Sequence, residues 1–194
     1  MNFYIDITLL PSDDIGHHFL WEKVFQQVHL ALVEIKDADG QSRVGLSFPE
    51  FSDVKNRVGR KLRLLSLDEK TLVKLDIDRW LDRLLDYVHI KKIQEVPEGI
   101  EKFIRFQRLQ TKSNVERLAR RAAKRKSISY EQALEERKNI NLKKTDAPFL
   151  WIKSLGSDNR FRLFLCSEIV SSGCVEENRF STYGLSNGGV LPYF

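Results

Sequence analysis

The first 96 residues alternate between two hydrophobic periods, and this alternation limits the folds open to the chain. Residues 3–9 are rich in β-branched and aromatic side chains and stop before Pro11, so they predict a strand. Between His18 and Glu34 the apolar residues recur at intervals of three and four, which predicts an amphipathic helix. Because a period of about 2 belongs to strands and one of about 3.6 to helices, a strand followed by a helix is expected.

The same reasoning predicts the other elements of this half. They are strands at 43–48, 61–66 and within 89–96, with leucine-rich helical segments at 68–75 and 78–88 before the last strand. Asp78 is the expected N-cap of the second helical segment. The resulting order, βαββαβ, is that of the split βαβ unit, so we expect a ferredoxin-like domain over residues 1–96, of the kind that RNA-recognition modules also use.

The second half, residues 97–194, follows a hinge at Pro97-Glu98-Gly99 and combines helical and strand patterns, so the chain as a whole should be α+β. An extended segment over residues 103–110 would place Arg108 and Gln110 on one strand face. Two strand-like runs flank turn residues at 156–159, which predicts a hairpin over 149–166, and a short C-terminal tail follows it.

A basic helix is expected over residues 114–126. Ser113 and Glu116 form an S-x-x-E capping box, which marks a helix start. At about 100° per residue, five cations share one face and small apolar residues share the other. These cations are Arg117, Arg120, Arg121, Lys124 and Arg125. Clustered cations repel one another, so the face suits an external polyanion such as nucleic acid, although a solvated surface helix also fits.

The apolar face of this helix is mostly alanine. It lacks the bulky anchors of a membrane-surface or calmodulin-target helix. The alanines would also make the helix slim at the back, which matters because the major groove of A-form RNA is deep and narrow. Ser129 and Gln132 form a second capping box, so a short helix should follow and run to about Lys138.

The composition excludes several classes of protein. A content of 42% hydrophobic and 30% charged residues is typical of a soluble globular protein, and a net charge of +5 is modest for 194 residues. With no leader and no apolar run of roughly 18 residues, we expect a cytoplasmic protein without a membrane partner. Neither Cys166 and Cys174 nor the histidines match a disulfide or metal-ligand spacing, so we expect free thiols, no metal and no cofactor.

His29 lies at the flank of the first helix's apolar stripe, about 80° around the helix from Trp21. Its titration range suits acid–base chemistry, but a flank histidine is more often a surface or half-buried residue. Ser154 and Tyr183 carry weaker signals, because no spacing ties a serine, a histidine and an acid into a hydrolase triad.

Several fragments, taken together and in order, carry a family resemblance. They are VHLALV at 28–33, VGLSFP at 44–49, RLQTKSN at 108–114, RFRLF at 160–164, YGLSNGG at 183–189 and PYF at 192–194. With these fragments, spread from end to end, the chain resembles the endoribonucleases that process CRISPR RNA in type I-F systems. The resemblance implies a nuclease that binds the stem-loop of the CRISPR repeat and cuts at the 3′ base of the stem without metal. The product would be a guide RNA with a 2′,3′-cyclic phosphate, to which the protein stays bound.

The resemblance also implies an active site. His29, Ser154 and Tyr183 lie at the positions of the family's catalytic residues. RNA carries its own nucleophile, the 2′-hydroxyl, so the enzyme has only to deprotonate it and hold it in line with the phosphate. Neutral His29 would be the base, and Ser154 would hold the ribose.

The RNA-binding residues follow in the same way. Arg108 and Gln110 match the pair that reads purine edges in the lower stem, and Phe161 matches an aromatic residue stacked on the terminal base pair. The other residues that the resemblance places at the RNA are Lys112, Ser113, Asn114, Arg117, Arg120, Arg121, Lys124 and Arg125. The implied partners are the repeat stem-loop and other subunits of the type I-F surveillance complex, with a monomer when the protein is alone.

Two other classes of function remain open at this point. A ferredoxin-like domain and a basic helix could simply hold structured RNA without cutting it. A DNA-binding regulator fits less well, because the sequence contains neither a helix-turn-helix pattern nor a dimerisation heptad.

Overall fold

The computed structural model of this chain describes residues 1–110, 115–137, 145–154, 156, 159–171 and 178–194, apart from the side chains of residues 117 and 171. These residues form two compact units, Met1–Arg108 with Ala147–Phe194, and Leu109–Asp146. The first unit therefore contains both ends of the chain. The bounds of these units differ from those of the expected halves, 1–96 and 97–194. The expected division into a domain with the general base and an RNA-binding half stays a prediction.

The described residues of the first unit form two antiparallel sheets and three α-helices. Its elements are β1 (Phe3–Leu9), α1 (His17–Glu34), β2 (Gly45–Ser47), β3 (Lys61–Ser66), α2 (Glu69–Leu75), α3 (Ile77–Leu81) with a 3-10 turn at Asp82–Leu84, β4 (Val88–Ile90), β5 (Gln94–Glu95), β6 (Lys102–Arg108), β7 (Phe149–Lys153), β8 (Arg160–Ser171) and β9 (Leu191–Pro192). The first sheet has the order β2-β3-β1-β4, with β5 also paired to β1, and the second has the order β7-β8-β6-β9. The expected α+β class is confirmed.

Local sequence signals placed most of these elements well, and one signal was misassigned. β1 and β3 have the predicted bounds. Asp78 is not an N-cap: Asp76, in a left-handed conformation with φ of 46°, ends α2 and precedes α3. This backbone turn lies in the gap predicted between the two helical segments, but α3 begins at Ile77 and so has Asp78 in its first turn.

The two sheets share one hydrophobic core. Trp21 and Phe25 of α1 are fully buried in it, and each such side chain contributes roughly 1.5–3 kcal/mol to stability. Phe48, just after β2, packs edge to face against Phe106 of β6, with the ring centres 5.2 Å apart. This contact joins the two sheets. Because α1 also contacts β7, the helix that carries His29 lies beside both sheets.

The predicted hairpin is confirmed as β7 and β8, closed by a hydrogen bond of 2.9 Å from the Ser154 N–H to the Asn159 oxygen. β8 continues to Ser171, beyond the expected end at 166, because it pairs with β6 along its second half. β6 itself ends at Arg108. The expectation that Gln110 shares a strand face with Arg108 is therefore wrong.

The second unit contains the basic helix α4 (Val115–Lys126) and the short helix α5 (Tyr130–Glu135). Ser127, with φ of 53°, turns the chain, and the predicted capping box of Ser129 is confirmed. The alanine face is not a bare back face, because its buried residues pack against α5. These residues are Ala119, Ala122 and, on α5, Ala133. The other predicted capping residue, Ser113, lies outside the described residues. The short helix α5 ends at Glu135, three residues before the predicted end at Lys138.

Within the part of the chain that the structure describes, every helix falls short of the length and apolarity needed to cross a membrane.

Candidate active site

His29 lies on the second half of α1, in contact with a segment from the C-terminal end of the chain. Its Nδ1 is 2.8 Å from the carbonyl oxygen of Thr182. Because a carbonyl oxygen only accepts hydrogen bonds, Nδ1 carries the proton of the neutral ring and Nε2 carries a lone pair. This tautomer can accept a proton at Nε2, as a general base must.

The Tyr183 ring covers the imidazole. The two rings are stacked, 4.2 Å apart and 7° from parallel. This contact explains why His29 is only 6% exposed although its helical position lies at the edge of the apolar stripe. The sequence predicted a surface or half-buried histidine because only the position of His29 on α1 was taken into account. In the structure, a segment more than 150 residues further along the chain buries the ring.

Burial shifts the proton equilibrium of this histidine. Removing the imidazolium from water lowers the pKa of His29 below its ordinary value of 6.5, and the hydrogen bond to Thr182 offsets this only in part. At neutral pH the ring is therefore neutral, with its lone pair on Nε2.

The segment that carries Tyr183 is fixed against β2 by its backbone. Phe180 is fully buried, and the Leu46 N–H donates a hydrogen bond of 2.8 Å to the Gly184 oxygen. Gly184 has φ of 66°, and a Cβ atom there would lie 2.1 Å from the Leu46 side chain. Only glycine fits both the backbone angle and the close approach, so Gly184 positions Thr182 and Tyr183 above His29.

Ser154 directly follows β7, and α1 holds this end of the strand. The Lys153 N–H donates a hydrogen bond of 3.0 Å to Oε1 of Gln26, which lies one helical turn before His29. The half-buried Ser154 is therefore anchored next to the helix that carries the histidine. No hydrogen bond within the described part of the chain joins the Ser154 hydroxyl to His29.

Arg108 and Phe161 lie together at the end of the second sheet. The Arg108 guanidinium is 5.5 Å from the centre of the Phe161 ring, and both side chains lie on the sheet face that carries buried residues further along. The arginine is exposed and the ring is half-buried. Gln110 is exposed but belongs to the second unit.

The predicted cations of α4 are exposed where the structure describes them. Arg121, Lys124 and Arg125 are exposed, and Arg120 is 3.7 Å from Glu116 in an ion pair along the helix. Four of the predicted binding residues lie outside the described side chains; they are Lys112, Ser113, Asn114 and Arg117.

The structure adds two contacts that the sequence did not predict. Thr182 acts through its backbone oxygen, which no residue type could have signalled. Gln26 lies three residues before His29 and so shares its side of α1, which is a weak sequence signal for a role near the histidine.

Among the described residues, no cluster of three or more histidine, cysteine or acidic side chains could hold a metal ion. Cys166 is a free thiol, and Cys174 lies outside the described residues.

Comparisons with known proteins identify the family. The family model described as CRISPR-associated protein (Cas_Csy4) matches residues 4–194. The CRISPR-associated endonuclease Cas6/Csy4 of Pseudomonas aeruginosa is 34% identical over 195 residues, covering 100% of both chains. The enzyme of the same name from Escherichia coli is 34% identical over 194 residues, also covering 100% of both. A solved structure titled as a RAMP protein binding different RNA substrates covers 100% of both chains with a TM-score of 0.39 and 11% identity.

The family match spans nearly the whole chain, and the two curated relatives are as long as this protein. The resemblance carried by the sequence fragments is confirmed: this chain belongs to the Csy4 family of CRISPR-associated endonucleases.

Proposed function

We propose that this protein is a metal-independent endoribonuclease that cuts the CRISPR repeat transcript at the 3′ base of its stem-loop. The observation that carries the proposal is the neutral His29, whose Nδ1–H is bound to the Thr182 oxygen and whose Nε2 is therefore able to accept a proton. Such a base suits an RNA substrate, since RNA brings its own nucleophile in the 2′-hydroxyl.

In the proposed reaction, His29 Nε2 takes the proton of the 2′-hydroxyl as its oxygen attacks the adjacent phosphorus. The bond to the 5′-oxygen breaks, that oxygen takes up a proton from water, and a 2′,3′-cyclic phosphate remains. Tyr183 holds the imidazole plane by stacking, and the Ser154 hydroxyl fixes the ribose. A general base typically contributes about 10²–10⁴-fold, so positioning by Ser154 and the bound stem must supply much of the remaining acceleration.

Recognition of the stem-loop would use two regions. Arg108 and Gln110 would read purine edges in the lower stem, while Phe161, already beside the Arg108 guanidinium, would stack on the terminal base pair. The exposed cations of α4 would follow the phosphates. Lys112, Ser113, Asn114 and Arg117 would complete this surface. With its alanine face packed on α5, α4 would present only its cationic side to the RNA.

The N-terminal residues would form a ferredoxin-like domain in this proposed enzyme. The N-terminal sheet order β2-β3-β1-β4, with all neighbours antiparallel, supports a ferredoxin-like domain over residues 1–96 that carries the base. Residues 97–194 would bind the RNA. Membership of the family supports a cytoplasmic protein that is a monomer alone, stays on its product and joins other subunits of a type I-F complex.

One experiment tests the reaction. A repeat transcript is incubated with the protein in EDTA, next to the same transcript with 2′-deoxyribose just upstream of the scissile phosphate. The ribose substrate should be cut to a cyclic phosphate, and the deoxy substrate should be bound but left whole. Cleavage of the deoxy substrate, or loss of all cleavage in EDTA, would exclude the proposed attack. Binding without cleavage of either RNA would indicate a non-catalytic RNA-binding module.

A further inference from the structure

The β7–β8 hairpin has a second face, directed away from the core. Residues paired across an antiparallel ladder point to the same side, and Trp151 pairs with Arg162 while Phe149 pairs with Phe164. The side chains on this side, together called the outer hairpin face, are Phe149, Trp151, Lys153, Arg160, Arg162 and Phe164. The residues that alternate with them, such as Leu150 and Leu163, are buried in the core.

The outer hairpin face is built from aromatic rings and guanidinium groups in contact. The Arg160 guanidinium is 4.3 Å from the Trp151 ring centre. The Arg162 guanidinium is 5.4, 5.7 and 5.5 Å from the ring centres of Phe149, Trp151 and Phe164. The rings are half-buried, but both arginines are exposed. The face therefore offers flat apolar surface together with positive charge.

The charge on this face is only partly neutralised. Arg160 forms an ion pair with Glu22 of α1. No carboxylate in the described part of the chain pairs with Arg162. Aromatic rings interleaved with exposed cations suit single-stranded RNA, whose bases stack on the rings while its phosphates contact the cations. A neutral protein partner would leave the charge of Arg162 uncompensated.

The outer hairpin face also adjoins the proposed cleavage site. β7 ends at Lys153, and the next residue is Ser154, which holds the reacting ribose in the proposed mechanism. In that mechanism, an RNA strand that continues beyond the scissile phosphate would start next to this end of the hairpin. We propose that the outer hairpin face binds the single-stranded precursor RNA on the 3′ side of the cut. The inference rests on the proposed function and adds a region of the substrate to it.

The test compares three uncleavable RNAs that carry 2′-deoxyribose at the cut. One is the stem-loop alone, one has an eight-nucleotide 3′ extension, and one has the same extension on the 5′ side. The parent protein should bind the 3′-extended RNA about tenfold more tightly than the stem-loop, as expected for stacking of one or two bases. Trp151→Ala and Arg162→Gln should each lose most of this gain while still binding the stem-loop like the parent.

Salt dependence gives a second readout. For the 3′-extended RNA, Arg162→Gln should make the slope of log K against log salt shallower by about 0.7, as loss of one single-strand phosphate contact predicts. The matched control is Arg83→Gln, an exposed arginine near α3 that should change neither the slope nor the gain. Unchanged binding of the stem-loop shows that each variant is folded.

Three outcomes would overturn the inference. They are a parent that gains nothing from the 3′ extension, a gain from the 5′ extension instead, and variants that keep the whole 3′ gain. In each case the parent would still bind the stem-loop and cut the ribose substrate. Failure of the parent to bind or cut the stem-loop would instead refute the proposed function.

Discussion

Two buried polar side chains of the first unit use their hydrogen-bonding groups in different ways. Arg63 on β3 donates to both carboxylate oxygens of Asp6, at 2.7 and 3.0 Å, and to the Phe194 oxygen at 2.8 Å. Its guanidinium also contacts the rings of Tyr4 and Phe194, 4.6 and 3.8 Å from their centres. His29 forms one hydrogen bond through Nδ1, and a tyrosine ring covers one of its faces.

Arg63 therefore maintains the fold, whereas His29 has an atom left for chemistry. Arg63 is held by three hydrogen bonds and two aromatic rings, and removing it would leave the buried Asp6 carboxylate without its main counterion. His29 is fixed at one nitrogen while the other keeps its lone pair, which is the arrangement that a general base needs. Burial alone therefore does not distinguish a structural side chain from a catalytic one. The number of side-chain nitrogens that already have a hydrogen-bond partner does.

The largest expected effect separates reaction from binding. His29→Ala should lower the single-turnover cleavage rate by about 10²–10⁴-fold or more, because the base is lost. Its affinity for the uncleavable stem-loop should remain close to that of the parent, because this side chain serves the reaction. Cleavage rates and Kd values measured on the same preparations show whether His29 serves catalysis or binding. An equal loss of affinity would mean that His29 helps to bind the RNA.

The next effect concerns stability. Arg63→Ala should lower the free energy of unfolding by about 3–5 kcal/mol, since it removes the close partner of a buried carboxylate and leaves it the more distant Lys61, at 4.0 Å. The control is Arg79→Ala, which breaks an exposed 2.9 Å pair with Glu34 and should cost less than about 1 kcal/mol. Urea unfolding of both variants measures the difference. Equal losses would show that Arg63 does not hold the fold together.

A smaller effect tests how precisely the covering segment must lie. Gly184→Ala forces a Cβ atom to 2.1 Å from Leu46 at φ of 66°, which should cost about 1–3 kcal/mol in stability and slow cleavage by moving Tyr183 off His29. Gly40→Ala is the matched control, with φ of 74° and nothing within 4 Å of the added atom. It should lose some stability but keep the cleavage rate. Equal rates in the two variants would mean that the position of Tyr183 is unimportant.

The sequence predicted the elements of the fold better than the contacts between them. Local patterns were enough for β1, β3, α1 and the β7–β8 hairpin, because the hydrophobic period and turn residues decide such elements. The end of β6 at Arg108 was not visible, since the pattern of 103–110 continues past the point where β8 ceases to pair with it.

Contacts between distant segments were beyond the reach of spacing arguments. The covering of His29 by Tyr183 joins residues from opposite ends of the chain, and the resemblance named both residues without predicting that their rings stack. The pairing of Arg63 with Asp6 depends on the register between β1 and β3, in which these two residues are direct partners. Neither residue carried a signal of its own, because charged residues on short strands are more often exposed.

The smallest expected effect is a shift in pH dependence. The pKa of free His29 lies below 6.5, so kcat/KM measured at low RNA concentration should stay level at neutral pH and fall about tenfold per pH unit only below that lowered pKa. With saturating RNA the midpoint should move upward, because bound phosphates stabilise the imidazolium. Tyr183→Ala should also raise the midpoint of kcat/KM toward 6.5, since it removes the ring that shields His29 from water.

The same shift has a defined sign for folding. Because the folded state binds the His29 proton less readily than the unfolded chain, His29 lowers stability as the pH falls from 6.5 through the folded pKa, and His29→Ala should lose this part of the dependence. Urea titrations of the parent and the variant between pH 6.5 and the folded pKa measure this difference in stability.

One result of the cleavage-rate measurements would contradict the proposed role of His29. A rate that rises without levelling through pH 8 would mean that hydroxide from solvent removes the 2′ proton, and the spare nitrogen that distinguishes His29 from Arg63 would then have no role in the reaction.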